Sequence, residues 1–413
     1  MRRTSRWMLA LGIAIVLGIV PIAGQDTTPE AAAQPVTTLR IWFPDTLGST
    51  DDGEVAALLA ELVGEFQTTN GDVQVDFRLK RAGDISTPGT LYHNLRTTRA
   101  TAPGALPHLT LLRRSDLDFA VREGLITPFL ETREAALLDG VLPAAAALGE
   151  VEGTLFGIPF MLEVEHQAHQ PDLETPRSWS FDDVLAGEWR FVFPGGETTR
   201  VSSELIAQIA EAGGLDENGR LAPDLETLTR IYQFYEDALE IGLLPPETVS
   251  YEAPADYLPL LTTAELPAGM LASSEYLRLL DQGSELLAAP LPTVGGDPAS
   301  VLNGWLWVLP TGTPEERALA LRFIDWMDEP ARQAEYARAV NQIPAQVDAF
   351  SVWAEGEYGA MITDLLSHGV LLPIDRAATQ PALARALQIG LTQVLNGSAT
   401  AAQAAETALD STE

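Results

Sequence analysis

No cysteine occurs anywhere in the chain. This excludes disulfides, a thiol nucleophile, thiolate metal ligands and a lipid-modified cysteine anchor. Basic residues are scarce as well: 25 Lys and Arg face 58 Asp and Glu, for a formal charge of −33. A chain this acidic repels nucleic acid and anionic lipid, so neither is an expected partner. There is no phosphate-cradling glycine loop, no G-x-S-x-G elbow and no H-E-x-x-H helix. The sequence therefore offers no catalytic residue and no cofactor, and it reads as something other than an enzyme. A glycosidase built on two facing carboxylates stays open at this level, because their separation is a three-dimensional quantity. Of the five histidines, His166 and His169 form an H-x-x-H pair with Glu163, Glu165 and Asp172 close by in sequence. That mixture of donors suits a metal, but the segment has no helical period and no metal is assigned to it.

What is present starts with an address. Arg2, Arg3 and Arg6 precede an apolar run from Trp7 to Val20, followed by Pro21 and Ala23-Gly24. Residues 1–24 thus read as a signal peptide or, uncleaved, as an N-terminal anchor. Residues 25–38, rich in Ala, Thr, Pro and Gln, read as a flexible tether. The expected location is secreted or cell-surface, periplasmic where an outer membrane exists, with membrane contact only through that anchor.

The remainder alternates strand-like and helix-like segments, the pattern of an α/β fold. LRIWF (39–43), VQVDFRL (73–79) and HLTLL (108–112) read as strands separated by helices near 54–67 and 91–99. In such units ligands are expected at the carboxyl ends of the strands. VLNGWLWVL (301–309) is a buried strand by composition. Thr313, Pro314 and Glu316 then supply an N-cap, a first-turn proline and a capping box for a helix ending FIDWM. LDENGR (215–220) reads as a turn; its glycine comes too early for a calcium loop.

The order of these pieces is more specific than their periods. LRIWFP (39–44), EVEGTLFGIP (150–159), EIGLLPPETVSYE (240–252), the NGW strand with its capped helix, and NGSATAAQAAETAL (396–409) occur in one sequence. The chain resembles the extracellular solute-binding proteins of family 1 that serve ABC importers, in their maltose-binding-like branch, over roughly residues 36–410. The resemblance implies a two-lobe periplasmic-binding-protein-like fold of type II, with a hinge and an interlobe cleft. Lobe I would take 39–157 plus 291–328, and lobe II 158–290 plus 329–413. It also implies a monomer that delivers a small polar ligand, a sugar or oligosaccharide, to permease subunits. A sensor or surface adhesin retired from transport is the other class of function.

Sugar recognition needs flat apolar faces and planar polar groups. By the resemblance, the ligand-binding residues would be Phe43 and Asp45 after the first strand and Asp116 after the third. Glu163 would join them from the crossing segment, Tyr276 from MLASSEYL and Trp305 from NGW. Tyr276 and Trp305 are expected to face the cleft from opposite lobes, and Glu163 either to contact ligand or to pair with Arg113 or Arg114.

Overall fold

The computed structural model describes residues 36–411 except 50–52, 84–86, 130–135, 175, 177–178, 188, 197–200, 311 and 374–379. The expected leader and nearly all of the tether lie outside the described residues. Among those residues, no helix is long and apolar enough to cross a membrane.

The strands are β1 (Thr37–Pro44), β2 (Val73–Lys80), β3 (Leu109–Arg113), β4 (Glu150–Val151), β5 (Thr154–Leu155) and β6 (Ile158–His169). They continue with β7 (Phe191–Val192), β8 (Ala268–Ala272), β9 (Leu287–Ala289), β10 (Ala299–Val308), β11 (Ile343–Pro344) and β12 (Val370–Pro373). Ten of them form one mixed sheet with the path β2-β1-β3-β10-β6-β8-β7. β1, β2 and β3 are parallel, as expected for strands joined by helical crossovers. β10 runs antiparallel to β3 and β6, and β6 antiparallel to β8, through the middle of the sheet, while β12 pairs with β10 in parallel.

Two main cores lie on this sheet. The first gathers β1, β3, Ile158–Val164 of β6 and 302–308 of β10. Helices Glu54–Thr69, Leu91–Thr101, Arg114–Arg122 and Pro314–Met327 cover them. The capping box foreseen for the last helix is present: Thr313 Oγ1 accepts from Glu316 N, and Glu316 Oε2 accepts from Thr313 N. The second core gathers helices Ser203–Glu211, Leu225–Glu240, Pro381–Leu395 and Ala401–Asp410 over Phe191, Met270, Ala299 and Val301. A smaller cluster on the other face of β8 holds Val192, Tyr257, Leu271 and Tyr276.

One expected boundary moves. Helices Pro330–Ala339, Val347–Trp353 and Gly356–His368 bring Ala334, Tyr336, Ala337, Phe350, Trp353, Ile362 and Leu365 into the first core. The sequence places 329–413 in lobe II, and this stretch divides between the two cores. The physical reason is local: β11 pairs with the first-core part of β6, Ile343 opposite Leu162. The chain returns to the second core at β12, which pairs with the start of β10 and buries Leu372 there.

The crossing itself is narrow. Val164 and the residues before it pack in the first core, whereas Glu165–His169 pair with β8 in the second. On β10 the change falls between Val301 and Leu302. Gly304 lies there because the strands approach closely: a Cβ on it would sit 2.4 Å from Met161 O.

Candidate ligand-binding site at the crossing strands

Glu163 occupies the centre of this crossing, opposite Asn303 of β10. Its side chain is 12% exposed and reached from both lobes. From the first, Arg113 at the carboxyl end of β3 donates from Nη1 to Glu163 Oε1 at 3.1 Å. From the second, Ser274 just beyond the carboxyl end of β8 donates its hydroxyl to Glu163 Oε2. Ser274 lies in the first turn of helix Ser273–Asp281, and the neighbouring Ser273 Oγ accepts from Val164 N at 3.2 Å. The amino end of that helix favours a carboxylate beside it.

Trp305 stands across from Arg113 in the β10–β3 ladder, and the guanidinium lies over its ring at 4.9 Å. The indole is 6% exposed. Arg113 is therefore shared between a carboxylate and an aromatic face, the two recognition elements the sequence pointed to. A carboxylate oxygen has two lone-pair directions. With one partner on each oxygen, Glu163 keeps capacity for two further hydroxyl donors.

The other expected site residues fall elsewhere. Phe43 is fully buried in the first core, 5.2 Å from Phe77 and 5.9 Å from Trp307 by ring centres. It shares a strand face with Ile41, and that parity points it inward. Asp45 uses Oδ1 to accept Ala82 N at 2.8 Å, joining the ends of β1 and β2. Asp116 is half-buried in the first turn of its helix; burial, and then the charges of Glu123 and Asp116, push the Tyr92 hydroxyl up. Tyr276 is 3% exposed and donates its hydroxyl to Leu286 O at 2.9 Å. Its ring packs on His166 at 5.0 Å and Tyr358 at 4.7 Å. Trp305 and Tyr276 thus lie in different clusters and do not face one another.

His166 and His169 do not converge. Three residues apart on a strand, they point to opposite faces. Burial lowers the His166 imidazole to about 4. Its Nε2 lies 3.1 Å from the Tyr358 hydroxyl, which belongs to a first-core helix. This is a second contact between the lobes, and sequence reasoning missed it. His169 packs on Trp189 at 4.5 Å. Among the described residues no cluster of three or more His, Asp or Glu could hold a metal. Ser274 was also missed, since a serine at a strand exit has no distinguishing period.

A profile of bacterial extracellular solute-binding proteins matches residues 92–358, well over half of the sequence. The chain belongs to that family. Among solved structures, the maltose-bound MalE3 of T. maritima is 17% identical, with a TM-score of 0.65 over 90% of this chain and 98% of that one. The sugar-binding MalE of the phytopathogen Xanthomonas citri gives 16% and 0.68, over 91% and 96%. The cyclic alpha-maltosyl-1,6-maltose binding protein of Arthrobacter globiformis gives 16% and 0.68, over 91% and 98%. At these identities the likeness establishes the two-lobe fold of the maltose-binding type. A comparison with curated proteins gave no sequence match.

Proposed function

We propose that this family member is the exported substrate-binding component of an ABC importer and captures a sugar or oligosaccharide by lobe closure. The observation that carries the reading is the placement of Glu163. It sits on a strand belonging to both lobes, held by Arg113 from one and Ser274 from the other. A carboxylate oriented in this way accepts two ring hydroxyls in charge-assisted bonds. Ligand bound there touches both lobes at once, so its contacts are complete only when the lobes close. Trp305 supplies the flat apolar face beneath, once Arg113 swings outward with the ligand. The bound solute would pass to permease subunits, and the protein would act as a monomer.

The test is a panel of neutral mono- and oligosaccharides, with amino acids and inorganic anions as comparators. Thermal shift finds the binder and titration calorimetry confirms it. A saccharide should raise Tm in a concentration-dependent way. Stabilisation by a comparator alone, with every saccharide inert, would overturn the sugar assignment and leave the solute-binding fold intact.

A further inference from the structure

Asn303 stands directly opposite Glu163 in the β10–β6 ladder. Trp305 follows two residues later, before the irregularity in that ladder, so Asn303, Trp305 and Glu163 share one face of the sheet. The asparagine is 6% exposed. Its Oδ1 accepts from Gly304 N at 2.9 Å, and because a backbone N–H only donates, that bond fixes which end of the amide is which. Nδ2 is left with its two N–H donors and no acceptor among the described residues. The acceptor that register sets across from it is already engaged: Glu163 Oε1 takes Arg113, and Oε2 takes Ser274. A nearly buried amide donor without a partner costs free energy in the ligand-free protein and rewards whatever supplies the missing acceptor.

The chemistry that fits between a carboxylate and an amide N–H is narrow. An ammonium group only donates, so it satisfies Glu163, leaves Asn303 Nδ2 unpaired and meets the positive charge of Arg113. An anion only accepts, so it suits Asn303 and Arg113 but is set against the Glu163 carboxylate. A neutral hydroxyl does both: its proton goes to the carboxylate while its oxygen accepts from the amide. In such a chain each bond polarises the next.

We propose that Asn303 is a specificity-determining residue of this site, its Nδ2 donating to the oxygen of the same ligand hydroxyl whose proton Glu163 accepts. One sugar hydroxyl is then read in both directions, from two neighbouring strands, beside the ring of Trp305. Replacing that hydroxyl by hydrogen strands the Asn303 donor and a Glu163 lone pair together, which is a steeper loss than either bond alone. The inference rests on the sugar reading above and adds which residue makes the site selective for a hydroxyl.

The test starts with calorimetric titration of the wild-type protein with glucose, galactose, xylose, maltose and cellobiose. The tightest binder is then titrated, with its monodeoxy analogues, into Asn303→Ala, Asn303→Asp and Glu163→Gln. Asn303→Asp keeps an acceptor for Gly304 N and removes the donor, whereas Asn303→Ala removes both. Each Asn303 variant should bind the parent saccharide about tenfold more weakly or worse. One monodeoxy analogue should bind wild type about tenfold more weakly than the parent, while Asn303→Ala and Glu163→Gln bind that analogue and the parent nearly alike. A wild-type Kd in the Asn303 variants overturns the proposal, and so does a loss spread evenly over every analogue, which is the mark of a purely structural role. A wild-type protein that binds none of the five saccharides overturns the sugar reading, and the proposal with it. If neither Asn303 variant folds, a crystal structure of the wild-type protein with the bound saccharide decides: Asn303 Nδ2 and a Glu163 oxygen should lie within about 3.2 Å of one shared hydroxyl, and separate hydroxyls or no contact overturn the proposal.

Discussion

Glu163→Gln separates recognition from hinge support, because the substitution keeps the shape of the side chain and removes its charge. Glu163 is 12% exposed, but its ion-pair partner Arg113 is 38% exposed. Solvent screens a pair of that kind to roughly 0.2–1 kcal/mol. The Ser274 bond is charge-assisted, yet a glutamine carbonyl still accepts it, so only part of its worth disappears. The expected loss of ligand-free stability is about 1 kcal/mol, a fall in Tm of a few degrees. Binding loses more. Two hydroxyl bonds to a carboxylate become one to an amide carbonyl and one poor contact with an amide donor. That amounts to about 1.5–3 kcal/mol, or roughly a 10- to 100-fold weaker Kd. Calorimetry with the saccharide selected by the panel reads the second number, and thermal unfolding without ligand reads the first. An unchanged Kd together with a Tm drop of more than about 10 °C, several kcal/mol on the usual conversion, would refute the reasoning and leave Glu163 a hinge residue.

Other outcomes follow from the same geometry. Gly304→Ala would put a methyl group 2.4 Å from Met161 O and force β10 from β6. It should cost about 2–4 kcal/mol in urea unfolding, and a wild-type midpoint would contradict the close approach. Trp307 is fully buried, with Phe160 at 4.6 Å and Phe43 at 5.9 Å. Trp307→Ala should cost about 3–5 kcal/mol while the saccharide Kd of the folded fraction holds. Burial raises Asp328 to about 8, against the opposing bonds from Gln333 and Gln346. The folded chain then holds a proton that the unfolded chain has lost, so stability falls as pH rises toward 8; Asp328→Asn should flatten that slope, and an unchanged slope would remove Asp328 as its source.

Local elements with strong punctuation could be read directly from the sequence. The capped helix Pro314–Met327 and the apolar strand β10 stand where Thr313, Pro314 and the Val-Leu-Trp run placed them. The turn at 215–220 forms around Asp216, whose Oδ1 accepts from Asn218 N and Arg220 N at 2.8 Å. Packing partners were less legible. Nothing in the period of helices 330–365 says which of two cores they cover, and only the β11–β6 pairing decides it. Site residues divide by the same logic. Glu163 and Trp305 lie on the two strands that make the crossing, a placement their sequence segments display. Phe43 lies at a strand end, where a one-residue change in parity exchanges cleft for core. Tyr276 packs in the smaller cluster, because an aromatic one turn into a helix can face either way. The position of Arg113 over Trp305 depends on a strand pairing that sequence does not display.

β6 is one unbroken twelve-residue strand serving two cores. Its side chains alternate between two faces that are both covered, so a slip by one residue would exchange the groups packed on each face. The alternation is continuous through Glu163 and Glu165, so neither lobe can slide along the strand without dragging the other out of register. Twisting and bending about the strand axis remain, because they preserve which face each residue occupies. We expect any motion between the two halves to bend or twist this strand rather than slide along it. The ladder with β10 already absorbs one irregularity beside Phe160, between the Met161 and Pro159 pairings, whereas an extra residue between Glu163 and Glu165 would exchange the faces that Glu165–His169 present to β8.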